Sequence, residues 1–392
     1  MKSKCNLITT CIFAALLFGF AIAFFMLPDN SFSEQENRSL RTLPSFSWEK
    51  LADGTYGDEI NDYFADQFPL RDVLVGLKGG TEIALGKGEN DGILLGENGQ
   101  LAKRLFEVRR EDGTVVSVEL DAFDADNIRA AADGLNRVSD SLDVPFTVFL
   151  TGRTLDVAES AFDYPANVSD DLLETLYGEL DGTVDAIDSV PMFREKYENG
   201  EYVYFKTDHH WTALGAYYAY VELMRDWGME DEIISADRFE KQVAASDFYG
   251  TFWSAGGMKF VSPDSLEFWL LGNEDNFTVI ADGRELDGFY STRYLSLKDK
   301  YSAFLDGTHD VVTVTKNTDE ERPTLVMFKD SFANSLAPFL AQHFDLVLLN
   351  LSSARTDYTD ITAYTAQYDA DRVLLIYTLE NVITTNKLNN LR

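Results

Sequence analysis

Residues 324–350 read TLVMFKDSFANSLAPFLAQHFDLVLLN and carry the clearest fold signal in the chain. The apolar runs 324–328 and 345–351 have the length of buried strands. Between them, the apolar residues of 332–342 fall on one face of a helix. Strand, helix and strand in this order form the repeating unit of a parallel sheet, so this segment predicts an α/β fold.

The same alternation extends over much of the chain. Further strands are predicted at 145–151, 202–205 and 372–378, and further helices at 126–142, 170–180, 212–227 and 360–368. Thr212 is the expected N-cap of the third of these helices. Together these elements predict a mostly parallel sheet with helices on both faces. Between 229 and 322 the alternation is lost, and short apolar runs there indicate a β/loop-rich insertion of antiparallel strands over the core.

The first 28 residues contain an apolar run long enough to cross a membrane. Residues 5–27 carry no charge and follow Lys2 and Lys4, and as a helix they would span the roughly 30 Å hydrocarbon core. This length favours an uncleaved anchor over a signal peptide, although Ala21-Ile22-Ala23 fits a cleavage motif. With the lysines inside, the rest lies outside the cytoplasm. We therefore predict a single-pass cell-membrane protein with an extracytoplasmic C-terminal domain, or a secreted protein if the segment is cleaved.

Three regions are predicted along the chain. They are a transmembrane anchor at 1–28, a middle region at 29–100 and an SGNH-like α/β domain at 101–392 that contains the insertion. The middle region comprises, in order, a polar stalk at 31–44, helices at 56–64 and 73–85, and a glycine-rich hairpin at 88–99. In the hairpin, Asp91-Gly92 and Asn98-Gly99 supply the positive φ angles that tight turns need.

The composition excludes several functional classes. The 66 acidic residues exceed the 33 basic ones and give a net charge of −33, which disfavours nucleic acid as the main partner because a phosphate backbone requires clustered cations. The high content of aromatic and aliphatic residues supports a large core rather than disorder. Both cysteines, Cys5 and Cys11, lie in the apolar run. The rest of the chain therefore has no disulfide framework, cysteine nucleophile or thiolate metal site.

A polar cluster at 204–212, YFKTDHHWT, lies between a predicted strand and a predicted helix. The chain has only four histidines, and two of them are adjacent here. In an extended or turning segment residues two apart point to the same side, so Asp208 and His210 can share a face. A carboxylate can fix the tautomer of an imidazole and leave its other nitrogen free as a base. The cluster predicts an Asp–His dyad; the alternative is that these residues cap the helix.

A second cluster at 328–335, FKDSFANS, follows a predicted strand and begins a helix. A serine at this turn, Ser331, sits at the amino end of the helix, where free N–H groups and the helix dipole favour a developing oxyanion. Together with the dyad, Ser331 is the predicted nucleophile of an acyl transfer. Taken alone, Asp330 or Ser331 would equally fit a simple N-cap.

Both clusters resemble the signature segments of the DHHW protein family, which is named for the residues that stand here as Asp208, His209, His210 and Trp211. The resemblance covers nearly everything after the apolar run. It includes four further segments: ENR at 36–38, ADQFPLRD at 65–72, DGILLGENGQL at 91–101 and FYGT at 248–251. The family is similar to the SGNH-hydrolase-like domains of the alginate O-acetylation proteins, which handle acetyl esters on exopolysaccharides.

The resemblance implies an SGNH-hydrolase-like fold and a role for each motif residue. Ser331 would be the nucleophile, His210 the base and Asp208 the carboxylate that orients it. Many relatives have glycine where Lys329 stands, so access or charge at the nucleophile is expected to differ. An Asp-x-Arg-Tyr-like element of the relatives is shifted here. The candidates for substrate contact are Arg355, Tyr358, Trp211, Tyr249 and Asn350, the last being either an oxyanion donor or merely loop polarity.

The predicted function is that of an extracytoplasmic serine-dependent O-acetyltransferase or acetylesterase that acts on a cell-surface or exported polysaccharide, with no metal and no cofactor. The resemblance also implies a separate multi-spanning membrane acyltransferase that supplies acetyl groups. Two alternatives stay open. An inactive polysaccharide-binding or assembly protein would stack sugars on Trp211, Tyr249, Phe252 and Trp253. A metal phosphoesterase would use the Asp-His-His sequence to hold manganese.

Overall fold

The computed structural model of the chain describes residues 2–33, 38–109, 115–119, 124–163 and 170–392, which form two compact units. Unit 1 comprises Met1–Lys87 and Gly257–Phe260, and unit 2 comprises Gly88–Gly256 and Val261–Arg392. Of the segments that carry the family resemblance, Glu36 and Asn37 lie outside the described residues.

Unit 1 is built mainly from helices. Its elements are α1 (Lys2–Met26), β1 (Phe32–Ser33), β2 (Arg38–Ser39), α2 (Trp48–Asp53), α3 (Thr55–Asp66) and α4 (Arg71–Ala84). Within α1, Leu7–Met26 is long and apolar enough to cross a membrane, a criterion that an N-terminal signal sequence also meets. Helices α3 and α4 confirm the two predicted for this region, whereas α2 was not predicted. The stalk is less irregular than expected, because β1 pairs with β2 and Arg41 N donates to Asp66 Oδ2 at 2.8 Å.

Unit 2 alternates strands and helices. Its strands are β3 (Glu89–Asn90), β4 (Ile93–Leu95), β5 (Leu101–Lys103), β6 (Leu105–Arg109), β7 (Val115–Glu119), β8 (Phe146–Thr151), β9 (Asp185–Asp188), β10 (Glu240–Phe248), β11 (Asp264–Leu270), β12 (Phe277–Ala281), β13 (Arg284–Glu285), β14 (Val311–Lys316), β15 (Thr324–Lys329), β16 (Asp345–Asn350) and β17 (Arg372–Thr378). Its helices are α5 (Ala125–Ser141), α6 (Thr154–Val157), α7 (Asp170–Gly178), α8 (Val190–Glu198), α9 (Ala213–Asp226), α10 (Thr251–Gly256), α11 (Ala333–Leu340), α12 (Ile361–Gln367) and α13 (Leu379–Thr384).

A mixed sheet forms the centre of unit 2. Among the described residues its strand order is β13-β12-β14-β16-β15-β17-β8-β9. Strands β16, β15, β17, β8 and β9 are parallel to one another. The pairs β16-β14, β14-β12 and β12-β13 are antiparallel. Because parallel strands point the same way, the carboxyl ends of β8, β15, β16 and β17 share one edge, where open α/β sheets place their sites. The mostly parallel sheet predicted from the sequence is confirmed.

Helices cover both faces of the sheet. Side chains of α9 and α11 pack with one face, and side chains of α5, α7 and α12 pack with the other. Along β15, Leu325 and Met327 belong to the first core and Val326 and Phe328 to the second, as the two-residue period of a strand requires. Burial on both faces explains why this strand reads as a continuous apolar run.

Two predicted features differ from the structure. Residues 202–205 do not form a strand; they make a single bridge between Tyr204 and Trp211. The insertion does not simply lie over the core, since its strands β12 and β14 extend the main sheet beside β16. An uncovered edge of β16 would leave backbone N–H and C=O groups unpaired, and β14 satisfies them. Within the insertion, β10 and β11 form an antiparallel ribbon separate from the main sheet.

Candidate active site

Residues 203–212 form a narrow loop that carries the Asp-His-His sequence. Phe205 N donates to His210 O at 3.1 Å and pairs the two arms of the loop. The buried carboxylate of Asp264, at the start of β11, accepts from Thr207 N at 2.8 Å and from Thr207 Oγ1 at 2.6 Å. These bonds fix the tip of the loop, so that the side chains of 208–210 have defined positions.

Asp208, His210 and Ser331 form a continuous hydrogen-bonded chain. Asp208 Oδ1 lies 2.6 Å from His210 Nδ1, and His210 Nε2 lies 2.7 Å from Ser331 Oγ. An ionised carboxylate can only accept, so Nδ1 carries the ring proton and Nε2 accepts from the serine hydroxyl. The structure thus brings together three residues that the sequence separates by up to 123 positions.

The FYGT segment holds the carboxylate of Asp208 from the other side. Thr251 N and Thr251 Oγ1 donate to Asp208 Oδ2 at 2.8 and 3.1 Å. A Cβ atom on Gly250 would lie 2.3 Å from the Cβ of Asp208, so this close approach requires glycine. The segment therefore saturates Oδ2 and leaves Oδ1 for the imidazole.

The imidazole of His210 is enclosed between two rings. Its centroid lies 3.6 Å from that of Tyr301, in a nearly parallel stack, and 3.8 Å from that of His209. Burial and the neighbouring charge of His209 lower the pKa of His210 to about 4, although Asp208 acts against them. Burial opposes ionisation of Asp208, but both imidazoles and the bonds from His210 and Thr251 outweigh it, so the pKa of Asp208 lies below its ordinary value. At neutral pH His210 is a neutral base beside a carboxylate.

Asp330 fixes the turn that presents Ser331. Its Oδ1 accepts from Phe332 N at 3.1 Å, and its Oδ2 accepts from Thr378 N at 2.8 Å and Asn381 Nδ2 at 2.9 Å. Burial raises the pKa of Asp330 above its ordinary value. The carboxylate ties the end of β15 to the end of β17 and is separate from the chain that ends at Ser331.

Lys329 is an interior residue. Its side chain is 1% exposed, and Nζ donates to Asn334 Oδ1 at 2.7 Å. Asn334 Nδ2 in turn donates to Gly307 O at 3.2 Å. Burial lowers the pKa of Lys329 to about 8. The lysine is not among the residues that line the cleft, so its side chain does not restrict access to Ser331, while a difference in charge at the nucleophile stays a prediction.

A cleft of about 730 Å³ opens at the carboxyl edge of the sheet in front of Ser331. The strand ends and the loops after them contribute one part of its lining: Gly152, Arg153, Ser331, Asn350, Thr378 and Glu380. The hairpin strands and their turn, the loop 203–212 (the motif loop) and the start of α10 contribute another: Asp91, Ile93, Lys103, His209, Thr251 and Phe252. A cavity of this size accommodates a small ligand or one part of a larger one.

The cations of the cleft are paired with carboxylates. Lys103 Nζ lies 2.9 Å from Glu380 Oε1. Arg153 holds Asp156 through two bonds of 2.8 Å, and both side chains are buried. Each of these two cations in the cleft is therefore neutralised by a neighbouring carboxylate.

Three of the five predicted substrate contacts lie elsewhere. Trp211 is fully buried and its Nε1 donates to Ser335 Oγ at 2.8 Å, so it joins the motif loop to α11. Tyr358 is buried in the core with α12, and its ring packs against Tyr364. Arg355 is exposed but does not line the cleft; it pairs with Asp310 at 3.1 Å. Burial of the Trp211 and Tyr358 rings argues against substrate contact by these two residues, whereas contact by the exposed Arg355 stays a prediction.

The other two predicted contacts are Asn350, which lines the cleft, and Tyr249, which does not. Asn350, at the end of β16, is paired in register with Lys329 on β15. The ring of Tyr249 lies 4.5 Å from that of Trp253, and Lys298 Nζ lies 4.2 Å from the centroid of Trp253. A cation therefore occupies a ring face on which a sugar was expected to stack.

Several residues that build the site carry no recognisable local pattern in the sequence. Tyr301 stacks on His210, and its hydroxyl lies 3.1 Å from Ser335 Oγ. Asp264 anchors the motif loop from a strand in the insertion. Both come from segments more than 50 residues from the histidines, so only the folded chain reveals them. Arg153 could have been found, because it lies two residues after an apolar strand, at the edge of the sheet where sites are expected.

Asp208, His209 and His210 are also the described residues that could hold a metal ion, with ligand atoms within 4.8 Å of one another. Several of these ligand atoms already have a partner, however. His210 Nε2 faces Ser331, His209 Nδ1 lies 2.9 Å from Thr251 Oγ1, and both oxygens of Asp208 accept hydrogen bonds. An ion would have to displace these bonds, so the geometry favours proton transfer over metal binding.

A serine after the central strand of a parallel sheet, joined to an Asp-x-His pair from a separate loop, defines an SGNH-like α/β protein. Within this class the chain belongs to the DHHW family. The family model, described as DHHW protein, matches residues 154–350, which is half of the chain. The family resemblance expected from the sequence is confirmed. No curated protein matches the sequence significantly.

The first two of the following solved structures share this fold at low sequence identity. A DHHW family protein from Eubacterium siraeum is 18% identical, and the alignment covers 76% of this chain and 97% of that one with a TM-score of 0.56. PatB1 from Bacillus cereus, solved with a sulfonyl adduct, is 20% identical over 74% of this chain and 99% of its own, with a TM-score of 0.59. The O-acetyltransferase domain of Pseudomonas putida AlgJ is 14% identical over 77% and 95%, with a TM-score of 0.44.

Proposed function

We propose that the chain is a serine-dependent acyl-ester enzyme, an O-acetyltransferase or acetylesterase that acts on a cell-surface or exported polysaccharide. The observation that supports this most strongly is the hydrogen-bonded chain from Asp208 through His210 to Ser331, with distances of 2.6 and 2.7 Å. A neutral imidazole held by a carboxylate and bonded to a serine hydroxyl is the arrangement that activates this nucleophile.

The reaction begins when Ser331 Oγ attacks the carbonyl carbon of an acetyl ester while His210 Nε2 takes the hydroxyl proton. The tetrahedral intermediate then loses the alcohol, which receives the proton from His210, and Ser331 is left acetylated. In the second half a water or a sugar hydroxyl gives its proton to His210 and attacks the acetyl carbon. The bond between Ser331 Oγ and the acetyl carbon then breaks, and His210 returns the proton to Ser331 Oγ. The backbone N–H of Ser331 and the side chain of Asn350 are the proposed oxyanion donors.

The charges of the cleft suggest which acceptor it takes. Lys103 and Arg153 are both paired with carboxylates, and Asp91 adds a further negative group to the lining. A polyanionic chain would find no uncompensated cation among these residues. The proposed acceptor is therefore the hydroxyl group of an uncharged sugar unit.

The apolar helix α1 suggests where the enzyme works. We propose that it stays in the cell membrane as a single-pass anchor and keeps unit 2 on the extracytoplasmic side, as Lys2 and Lys4 before the run favour. A multi-spanning membrane acyltransferase, which the family resemblance implies, would then supply the acetyl groups at the same membrane.

Release of acetate from a generic acetyl ester tests the proposal. Wild type, Ser331→Ala and a surface control, Ser139→Ala on α5, would be purified with the anchor in detergent. We expect the Ser331 variant to lose about 10³-fold or more of its activity and the control to retain it. Equal rates for wild type and Ser331→Ala would remove the nucleophile assignment and leave the polysaccharide-binding alternative as the better description.

A further inference from the structure

We propose that unit 1 has a second membrane contact, in which the corner between α3 and α4 inserts into the outer interface of the bilayer. We call this the corner surface. It consists of six large apolar side chains that are all exposed, namely Phe64 (46%), Phe68 (42%), Leu70 (65%), Val73 (59%), Leu74 (38%) and Leu77 (64%). The proposal goes beyond the enzymatic function and rests on the membrane anchor proposed with it.

The corner surface is continuous and follows helix geometry. Leu70, Val73, Leu74 and Leu77 recur at intervals of three and four residues, which places them in one stripe along α4. Phe64 at the end of α3 and Phe68 in the connection extend the stripe around the corner. Contiguous exposed apolar side chains of this kind mark an interaction site rather than ordinary surface.

Contacts with α1 set the depth of the corner. The ring of Phe68 stacks on that of Phe20 with centroids 5.2 Å apart, and the ring of Phe64 lies 4.9 Å from that of Phe24. The apolar run of α1 ends at Met26, so at about 1.5 Å per residue Phe20 lies about 9 Å inside this end and Phe24 about 3 Å. If α1 spans the bilayer, Phe68 lies at the depth that interfacial helices reach, about 5–10 Å.

Hydrogen bonds tie α1 directly to the corner. Only Leu27 and Pro28 separate the end of α1 from Asp29, whose carboxylate accepts from Tyr63 OH at 3.0 Å. Asn30 N donates to Gln67 Oε1 at 2.9 Å, and Gln67 Nε2 donates back to Asn30 O at 2.8 Å. The corner cannot leave the membrane surface without breaking this connection.

The backbone at the corner supports the same conclusion. Leu70 has φ 59° and ψ 23°, a left-handed conformation that residues other than glycine seldom adopt. This conformation holds the leucine at the start of α4 with its side chain 65% exposed. Strain of this kind is retained where it places a functional side chain. Lipid is the proposed occupant, because it surrounds a single-pass helix at the depth of Phe20.

Fluorescence quenching in vesicles tests the corner surface in the full chain. The chain has no cysteine besides Cys5 and Cys11, so Leu70→Cys and Leu74→Cys can each be labelled with an environment-sensitive dye in a Cys5→Ser, Cys11→Ser background. The vesicles contain phosphatidylcholine and phosphatidylglycerol with nitroxide-labelled acyl chains, and iodide is the aqueous quencher. Asp58→Cys, an exposed position in the first turn of α3, is the matched control.

We expect labels at Leu70 and Leu74 to be quenched several-fold more by the acyl-chain nitroxides than the Asp58 label, and to be protected from iodide. Quenching by iodide alone would overturn the proposal. Protection from both quenchers would also overturn it, because protein rather than lipid would then cover the corner. A label on the native Cys11, which is exposed on α1, distinguishes failure of the corner contact from failure of the membrane anchor. If that label also escapes the nitroxides, the anchor itself is wrong.

Discussion

His210 lies between the rings of His209 and Tyr301, and its two nitrogens face Asp208 and Ser331. This surrounding removes water from the imidazole and disfavours its protonated form. A low pKa weakens the base slightly, but it keeps the base available over the whole neutral range. The charge of the half-buried neighbour His209 contributes to this lowering of the pKa of His210.

The pH profile of esterase activity should show this effect. Activity requires neutral His210, so kcat/KM should fall as the pH drops through the pKa of His210, near 4 rather than 6.5. In His209→Gln one depressing charge is absent, and the acid limb should move to higher pH while activity at neutral pH changes little. Measured profiles of kcat/KM for both proteins would check this, and an acid limb that stays in place would refute the coupling.

The buried Lys329 predicts a pH dependence of stability. Its pKa is lowered from 10.5 to about 8 in the folded chain. Between these values the unfolded chain holds a proton that the folded chain lacks, so stability rises with pH across the window. Lys329→Met should flatten this rise, and Lys316→Met on β14 should not. Denaturant unfolding of the detergent-solubilised chain at both ends of the window would measure it, and equal slopes in all three proteins would contradict the prediction.

Three elements meet at the reacting hydroxyl, and each is fixed by a different contact. The motif loop is anchored by Asp264, the FYGT segment by its bonds to Asp208, and the turn after β15 by Asp330. Trp211 joins the first of these to α11 through Ser335. The site is therefore preorganised by backbone and side-chain bonds rather than by one rigid element.

A substitution at Gly250 tests whether the FYGT segment positions Asp208. In Gly250→Ala the added methyl would meet the Cβ and carboxylate of Asp208 at 2.3 and 2.5 Å, so the FYGT segment must shift. We expect the activity to fall about 100-fold and the free energy of unfolding by about 1–3 kcal/mol. Gly178→Ala, at the end of α7 with open space around the new methyl, is the control. Activity assays and chemical unfolding would check both, and unchanged activity in Gly250→Ala would disprove the positioning role.

The elements differ in how far the sequence predicts them. The strands at 145–151, 324–328, 345–351 and 372–378 were predictable because burial on both faces makes each one continuously apolar. The strand predicted at 202–205 does not form. Tyr204 and Phe205 are buried in the core, but the segment makes a single bridge rather than a strand ladder.

Local patterns identified Asp208, His210 and Ser331, and their positions beside predicted strands and helices of an α/β fold indicated that they meet. Tyr301 and Asp264 lie in segments without such a pattern, so they could not be assigned to the site. The burial of Trp211 and Tyr358 shows that local patterns do not distinguish cleft from core.

The charge of the whole molecule adds a long-range effect to the paired charges of the cleft. The chain carries a net charge of −33, so a polyanionic acceptor approaches against repulsion, whereas a neutral one does not. For acetylated polyuronates KM should fall as salt rises from about 0.01 M to about 0.15 M, because the screening length shrinks from about 30 Å to about 8 Å. For a neutral glycan KM should stay constant. Tight binding of the polyanion at low salt would contradict the proposed acceptor.

Covalent labelling of Ser331 tests the central claim most directly. The full chain would be treated with a sulfonyl fluoride or with an activated acetyl ester, digested, and mapped by mass spectrometry. We predict a single adduct on the peptide that contains Ser331, lost in His210→Ala and retained in Ser139→Ala. An unmodified Ser331 in a protein that still hydrolyses the ester, or an adduct at another residue, would contradict the account.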